Sequence, residues 1–116
     1  MTKFIEKPWG SEEILHCDNR YVTKRLTMNK GHRCSVQFHR YKTETVYLLS
    51  GVLKVFLGPD QNSLEEIILK PNGFLTILPN QVHRMEAIET SVYLEASTPE
   101  LEDVVRLQDD YQRVSN

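Results

Sequence analysis

From Arg20 to Ala96 the chain is a succession of short β-branched and aromatic runs, interrupted about every eight to twelve residues by turn formers. The pattern predicts strands near 12–16, 20–28, 34–39, 44–50, 52–57, 64–70, 74–78, 83–88 and 91–96, the rhythm of an antiparallel barrel or sandwich. The breaks at Asn29-Lys30-Gly31, Ser50-Gly51, Gly58-Pro59-Asp60, Pro71-Asn72-Gly73 and Pro79-Asn80 supply positive φ through Gly and Asn or fixed φ through Pro. After Ser97 the pattern changes. Leu101, Val104, Val105, Leu107 and Tyr111 fit one face of a short helix, capped by Ser97 or Thr98, or an irregular return segment. The expected fold is therefore all-β, one domain over 1–116, with an N-terminal arm (1–15) and a C-terminal segment (97–116).

Charge narrows the possible partners. Fourteen Lys and Arg face sixteen Asp and Glu, and the two signs are interspersed, so the basic footprint of nucleic-acid binding is missing. No apolar run approaches the roughly 18 residues of a membrane span, and Met1–Leu15 does not read as a signal peptide; a cytoplasmic protein is expected. Cys17 and Cys34 lack C-x-x-C spacing and are read as free thiols.

The chemistry concentrates between Gly31 and Gly51. Alternation along a strand puts Gln37 and His39 on one face, and residues 40–43 suffice to reverse the chain and bring Glu44 beside them. His83, after the Pro79-Asn80 turn, opens another strand, with Met85 and Ala87 on its side. Two imidazoles, a carboxylate and an amide oxygen suit one borderline divalent ion, zinc first, with manganese, iron, cobalt or nickel as alternatives. With Glu44 as the one anionic ligand the occupied site keeps a positive charge that attracts hydroxyl, enolate or carboxylate oxygens. His16 and His32, alone in their segments, are read as structural or solvent-exposed.

Gly31, Gln37, His39, Glu44 and Gly51 together resemble the first cupin motif, G-x5-H-x-H-x3-4-E-x6-G, with Gln in place of the first His; Gly73, Pro79 and His83 resemble the second more loosely. The Gln variant is similar to the ligand set of mannose-6-phosphate isomerases. Lys7-Pro8-Trp9-Gly10-Ser11, Lys24-Arg25-Leu26-Thr27, Ser35-Val36-Gln37-Phe38-His39, His83-Arg84-Met85-Glu86 and Asp103-Val104-Val105-Arg106 extend the likeness. The chain looks like the C-terminal cupin domain of type II mannose-6-phosphate isomerases, which many bacteria fuse to a guanylyltransferase; no nucleotide transfer is expected of these residues. The type II enzymes commonly carry His at the positions of Arg40 and Tyr41, and His-Trp where this chain has Thr45-Val46.

The resemblance implies a cupin jelly roll, a homodimer formed through the N-terminal arm, and a sugar or sugar phosphate as ligand. It further implies an aldose–ketose isomerase or epimerase in which the divalent ion stabilises an enediolate. Arg25 and Lys42 are the candidates for contacts to a phosphate, while Glu12, Glu13, Glu86 and Glu95 all remain open as the general base. Arg84, next to His83, is expected on the opposite face, paired with an acid or a partner chain. Trp9 and Tyr111 are read as packing residues ahead of sugar-stacking ones. The competing functions are a sugar-binding cupin without catalysis and an iron-dependent, oxygen-using cupin.

Overall fold

The structure, a computed structural model, describes residues 3–113. Among them the chain forms nine strands: β1 (Lys3–Lys7), β2 (Gly10–Cys17), β3 (Val22–Met28), β4 (Val36–Phe38), β5 (Glu44–Gly58), β6 (Glu65–Leu69), β7 (Phe74–Ile77), β8 (Val82–Ser97) and β9 (Val105–Gln108). All paired strands are antiparallel. The described residues contain no helix long and apolar enough to cross a membrane.

Two long strands organise everything else. β5 and β8 pair from Glu44 opposite Ser97 to Gly58 opposite Val82. Their first and last halves take different neighbours. The half of β8 at Ser91–Ser97 pairs with β3, and the half of β5 at Glu44–Tyr47 pairs with β7; β3 continues to β2 and β1. The opposite halves pair with β6 on the β5 side and with β4 on the β8 side, and β4 continues to β9. One ribbon thus belongs to two sheets that enclose a common core of Leu26, Met28, Val46, Leu48, Leu53, Val55, Met85 and Tyr93. Burying each Val, Leu or Met side chain contributes roughly 1.5–3 kcal/mol, so this row of positions dominates the stability of the barrel.

The alternation read from the sequence is visible in β3, where Val22, Lys24, Leu26 and Met28 point inward and are buried. Two expected breaks turn out to be bends. The runs 44–50 and 52–57 are one strand, as are 83–88 and 91–96, because register shifts between Leu48 and Leu53 fold the ribbon without ending it. Gly51 makes this possible: it sits at φ +94°, and a Cβ there would lie 2.4 Å from the Thr90 carbonyl oxygen. The positive φ expected of Asn appears at Asn72 and Asn80.

At the ends, the structure adds one strand to the arm and decides between the two C-terminal alternatives. The arm holds an additional strand, β1, paired with β2 through Lys3–Lys7. The C-terminal stretch is not a helix; it is the return segment, which crosses the barrel mouth and pairs β9 with β4. Three-residue β4 would otherwise present an open edge, and β9 uses up its hydrogen-bonding groups. Trp9 is buried in the core, and Tyr111 packs against it with its hydroxyl 2.7 Å from His32 Nδ1. Arg84 lies opposite the His83 side, bonded to the Cys34 carbonyl at 2.8 Å and to Asp110 at 3.3 Å.

Gly51→Ala should cost at least the roughly 1–3 kcal/mol of a non-Gly residue in a sparsely populated conformation, because backbone must also move. Gly31→Ala, at φ +83° with nothing within 4 Å of the added Cβ, should cost less. Urea unfolding of the two variants checks the order.

Candidate metal centre

Three of the four expected ligands converge at one end of the barrel. His39 follows β4, Glu44 opens β5 and His83 opens β8; all three are buried, His83 completely. His39 Nε2 lies 2.9 Å and His83 Nε2 3.5 Å from the same oxygen, Glu44 Oε1. The candidate ligand atoms fit within 4.8 Å of one another, and the imidazole centroids are 5.0 Å apart.

The outer nitrogens explain why the inner ones face each other. His83 Nδ1 donates to the Gln81 carbonyl at 2.9 Å, and His39 Nδ1 donates to the Asp103 carbonyl. A carbonyl only accepts, so each ring carries a proton on Nδ1 and presents Nε2 inward. His83 Nε2 has no hydrogen-bond partner. A buried, unpartnered nitrogen beside a carboxylate is costly, and a cation between the three groups removes that cost. The donor set therefore fits a divalent ion. Burial pushes the Glu44 carboxyl up, but His39, His83 and the Lys42 charge outweigh it and hold it well below its ordinary value.

Gln37 sits directly across the strand pair from His83, so their side chains share a face, and it lines the cavity beside the triad. Its Oε1 accepts a 2.6 Å hydrogen bond from Ser35 and retains a second lone pair.

Above the triad lies a cavity of about 380 Å³. Lys42 faces it, buried, as do Lys7, Lys24, Arg106 and Arg113. Arg25 does not. It points outward from β3 and forms two hydrogen bonds, 3.2 and 3.1 Å, with Glu13. Alternation explains the difference, since Lys24, its neighbour, shares the inward face of Val22, Leu26 and Met28 and reaches Glu12 at 3.3 Å. Of the four carboxylates considered as a base, Glu12 and Glu95 line the cavity, whereas Glu13 is held outside by Arg25 and Glu86 is absent from the wall. Burial first, and Glu44 second, push the Glu95 carboxyl up to about 8 against the pull of Lys42 and Lys24. Lys24 was legible from the inward parity of β3; Lys7, Arg106 and Arg113 meet only through the tertiary fold. His16 pairs with Asp18 at 2.9 Å on the exposed β2–β3 turn, and His32 binds Tyr111; neither joins the triad.

A curled antiparallel jelly roll with a buried His–Glu–His triad at one end defines a cupin with a site able to hold a metal ion. The family model for the mannose-6-phosphate isomerase C-terminal domain matches residues 1–109, and the chain belongs to that family. It is 33% identical over 115 residues to a mannose-1-phosphate guanylyltransferase of Escherichia coli (strain K12), covering 95% of this chain and 23% of that protein. The chain thus spans about a quarter of the length of the curated relatives it matches. Among solved structures it is similar to KdgF from Halomonas sp., with a TM-score of 0.76 at 16% identity over 87% of this chain and 91% of that one. Oxalate decarboxylase from Bacillus subtilis gives 0.78 at 13% identity over 91% of this chain and 30% of that one. These two likenesses show the shared fold.

Cys34 also lines the cavity, but burial pushes its thiol up to about 11, so it is neither a thiolate ligand nor a nucleophile at neutral pH. Both cysteines are free, Cys17 exposed and Cys34 buried. A colorimetric thiol reagent should therefore label one thiol per folded chain quickly, Cys17→Ser should abolish that phase, and Cys34 should react only on unfolding.

Proposed function

We propose that this chain is a metal-dependent sugar-phosphate isomerase of the mannose-6-phosphate isomerase kind, interconverting an aldose phosphate and a ketose phosphate. The observation that carries the reading is the unpartnered His83 Nε2, aimed with His39 and Glu44 at one point beneath a cavity walled by cations. His39, Glu44 and His83, with Gln37 beside them, would hold the ion, zinc ahead of manganese, iron, cobalt or nickel. When bound, it supplies a Lewis acid that polarises the sugar oxygens next to the reacting carbons.

The protein's own groups do the rest. The reaction removes one proton from C2 of the open-chain sugar and returns one at C1, and it consumes no oxidant. Glu12 and Glu95 are the two candidate carboxylates that face the cavity and are available to move that proton. The Lys7 ammonium is lowered by burial first and, against the pull of Glu12, by Lys24, Arg113 and Arg106, so like charges crowd there. Such crowding is relieved by an anion, which supports a phosphate at this end. Departures from the type II enzymes fall mostly away from the cavity: Arg40 and Tyr41 are exposed, Thr45 bonds Thr76 at 2.8 Å on the outside, and Val46 is core.

A second reading, a sugar-binding cupin without turnover, is favoured by the same crowded wall, since binding needs only the cations and the ion. Exposed Phe4 on edge strand β1 supports a homodimer through the arm, which light scattering would test.

Elemental analysis of untagged protein should find close to one zinc-type ion per chain. His39→Ala and His83→Ala should lose affinity by more than the about 10- to 100-fold typical of a lost supporting partner. The parent should isomerise hexose 6-phosphates, and Arg113→Ala should raise KM by about 10-fold or more, the loss of one charged hydrogen bond. Metal and sugar binding without product would select the second reading; a parent that takes up no divalent ion would sink both metal-based versions.

A further inference from the structure

The loop that carries the chain from His39 to Glu44 has little packing of its own. Arg40 and Tyr41 are exposed, Tyr41 by 72%. Yet the loop must set two ligand atoms 2.9 Å apart. Its geometry comes instead from a residue far along the chain. One carboxylate oxygen of Asp103 accepts from the Arg40 N–H at 3.1 Å, and the other accepts from the N–H groups of Tyr41 and Lys42 at 2.7 and 3.0 Å. The main-chain carbonyl of the same Asp103 accepts from His39 Nδ1.

We propose that Asp103 is the positioning residue of the metal centre, fixing with its carboxylate the loop between two ligands and with its carbonyl the ring orientation of one of them. The inference rests on the metal-binding reading above. A carboxylate offers enough lone pairs for three amide donors at once, which no neutral side chain of that size can match. Because the loop donors and the imidazole meet on one residue, a shift of residue 103 moves His39 and Glu44 together.

The surrounding chain holds Asp103 in place from both sides. Upstream, Thr98 and Thr43 exchange two 3.0 Å bonds, Thr98 N–H to the Thr43 carbonyl and Thr43 N–H to the Thr98 hydroxyl. Downstream, Val105 pairs with Phe38 and Arg106 with Gln37 in the β4–β9 ladder. The return segment is thus clamped on either side of Asp103, which fixes its contact with the ligand loop. The second imidazole is oriented separately. His83 takes its support from Gln81, whose side-chain oxygen in turn accepts from Leu78 N–H at 2.8 Å. The two halves of the site therefore have different supports, and only one of them passes through Asp103.

The test uses the full chain, with Asp103→Ala and Asp103→Asn beside the parent. In metal-free, histidine-labelled protein, nitrogen-edited NMR follows the protected Nδ1–H resonances of His39 and His83. Cobalt(II) titration, read in its visible absorption, then gives affinity and ligand geometry. The expected result is that Asp103→Ala loses the His39 Nδ1–H signal, keeps that of His83, alters the cobalt spectrum and binds about 10- to 100-fold more weakly. Asp103→Asn should fall between, since an amide keeps one accepting oxygen but turns donors toward a donor. It also carries the test if the alanine variant does not fold. Unchanged His39 resonance and cobalt affinity within about twofold of the parent in the folded variants would overturn the positioning role alone. Equal loss of both histidine signals would also overturn it, by showing general loosening. A parent that binds no cobalt would overturn the metal centre and the positioning role with it.

Discussion

The feature on which the site depends is a carboxylate kept ionised although it is almost wholly buried. Glu44 is 2% exposed, and an isolated charge at that depth would neutralise instead of persisting. It persists because two imidazoles and Lys42 surround it, and each imidazole is turned toward it by a carbonyl behind. Every element near the barrel end serves that arrangement. β4 and β8 must pair so that Gln37 meets His83, the 40–43 loop must be short, and the return segment must close over it.

Much of this was legible in the chain itself. Spacing alone placed Gln37, His39 and Glu44 on one wall, because the two-residue period of a strand and the reach of a four-residue loop leave few alternatives. The all-β character and most turn positions followed from β-branched runs and from Asn and Gly at positive φ, whereas β1 and β9 were not anticipated as strands. What was not legible is informative. The bends at Gly51 and near Thr90 look like strand ends in sequence, since a bulge and a turn use the same residues. Arg25 and Lys24 are adjacent and chemically alike, and only the inward parity of Val22, Leu26 and Met28 separates the outer cation from the inner one. Asp103 stood in a segment that carried the family likeness, but nothing local pointed to its contacts, because its partners lie some sixty residues earlier.

The return segment also explains why apolar spacing suggested a helix. Val104 and Leu101 do line the cavity, but they do so from a turn and an irregular stretch ahead of β9. The edge of β4 decides between the two conformations: its open hydrogen-bonding groups are satisfied by a strand and would be left bare by a helix. Below that edge, Asp110 binds Arg33 at 2.6 and 3.1 Å and Arg84 at 3.3 Å, so the segment is fastened after β9 as well as before it.

The ribbon of β5 and β8 has a consequence for how the molecule is made. Its partners, such as Glu44 and Ser97, are distant in sequence, so loop entropy must be overcome before either sheet gains its central pair. A slip of one residue in that pairing would turn His83 out of the barrel while leaving Glu44 within it. An ion that binds only the correctly registered chain lowers its free energy by mass action and leaves slipped forms without that gain. If the triad takes up its ion during synthesis, metal supply acts as a proofreader of strand register, selecting the native barrel from its near neighbours.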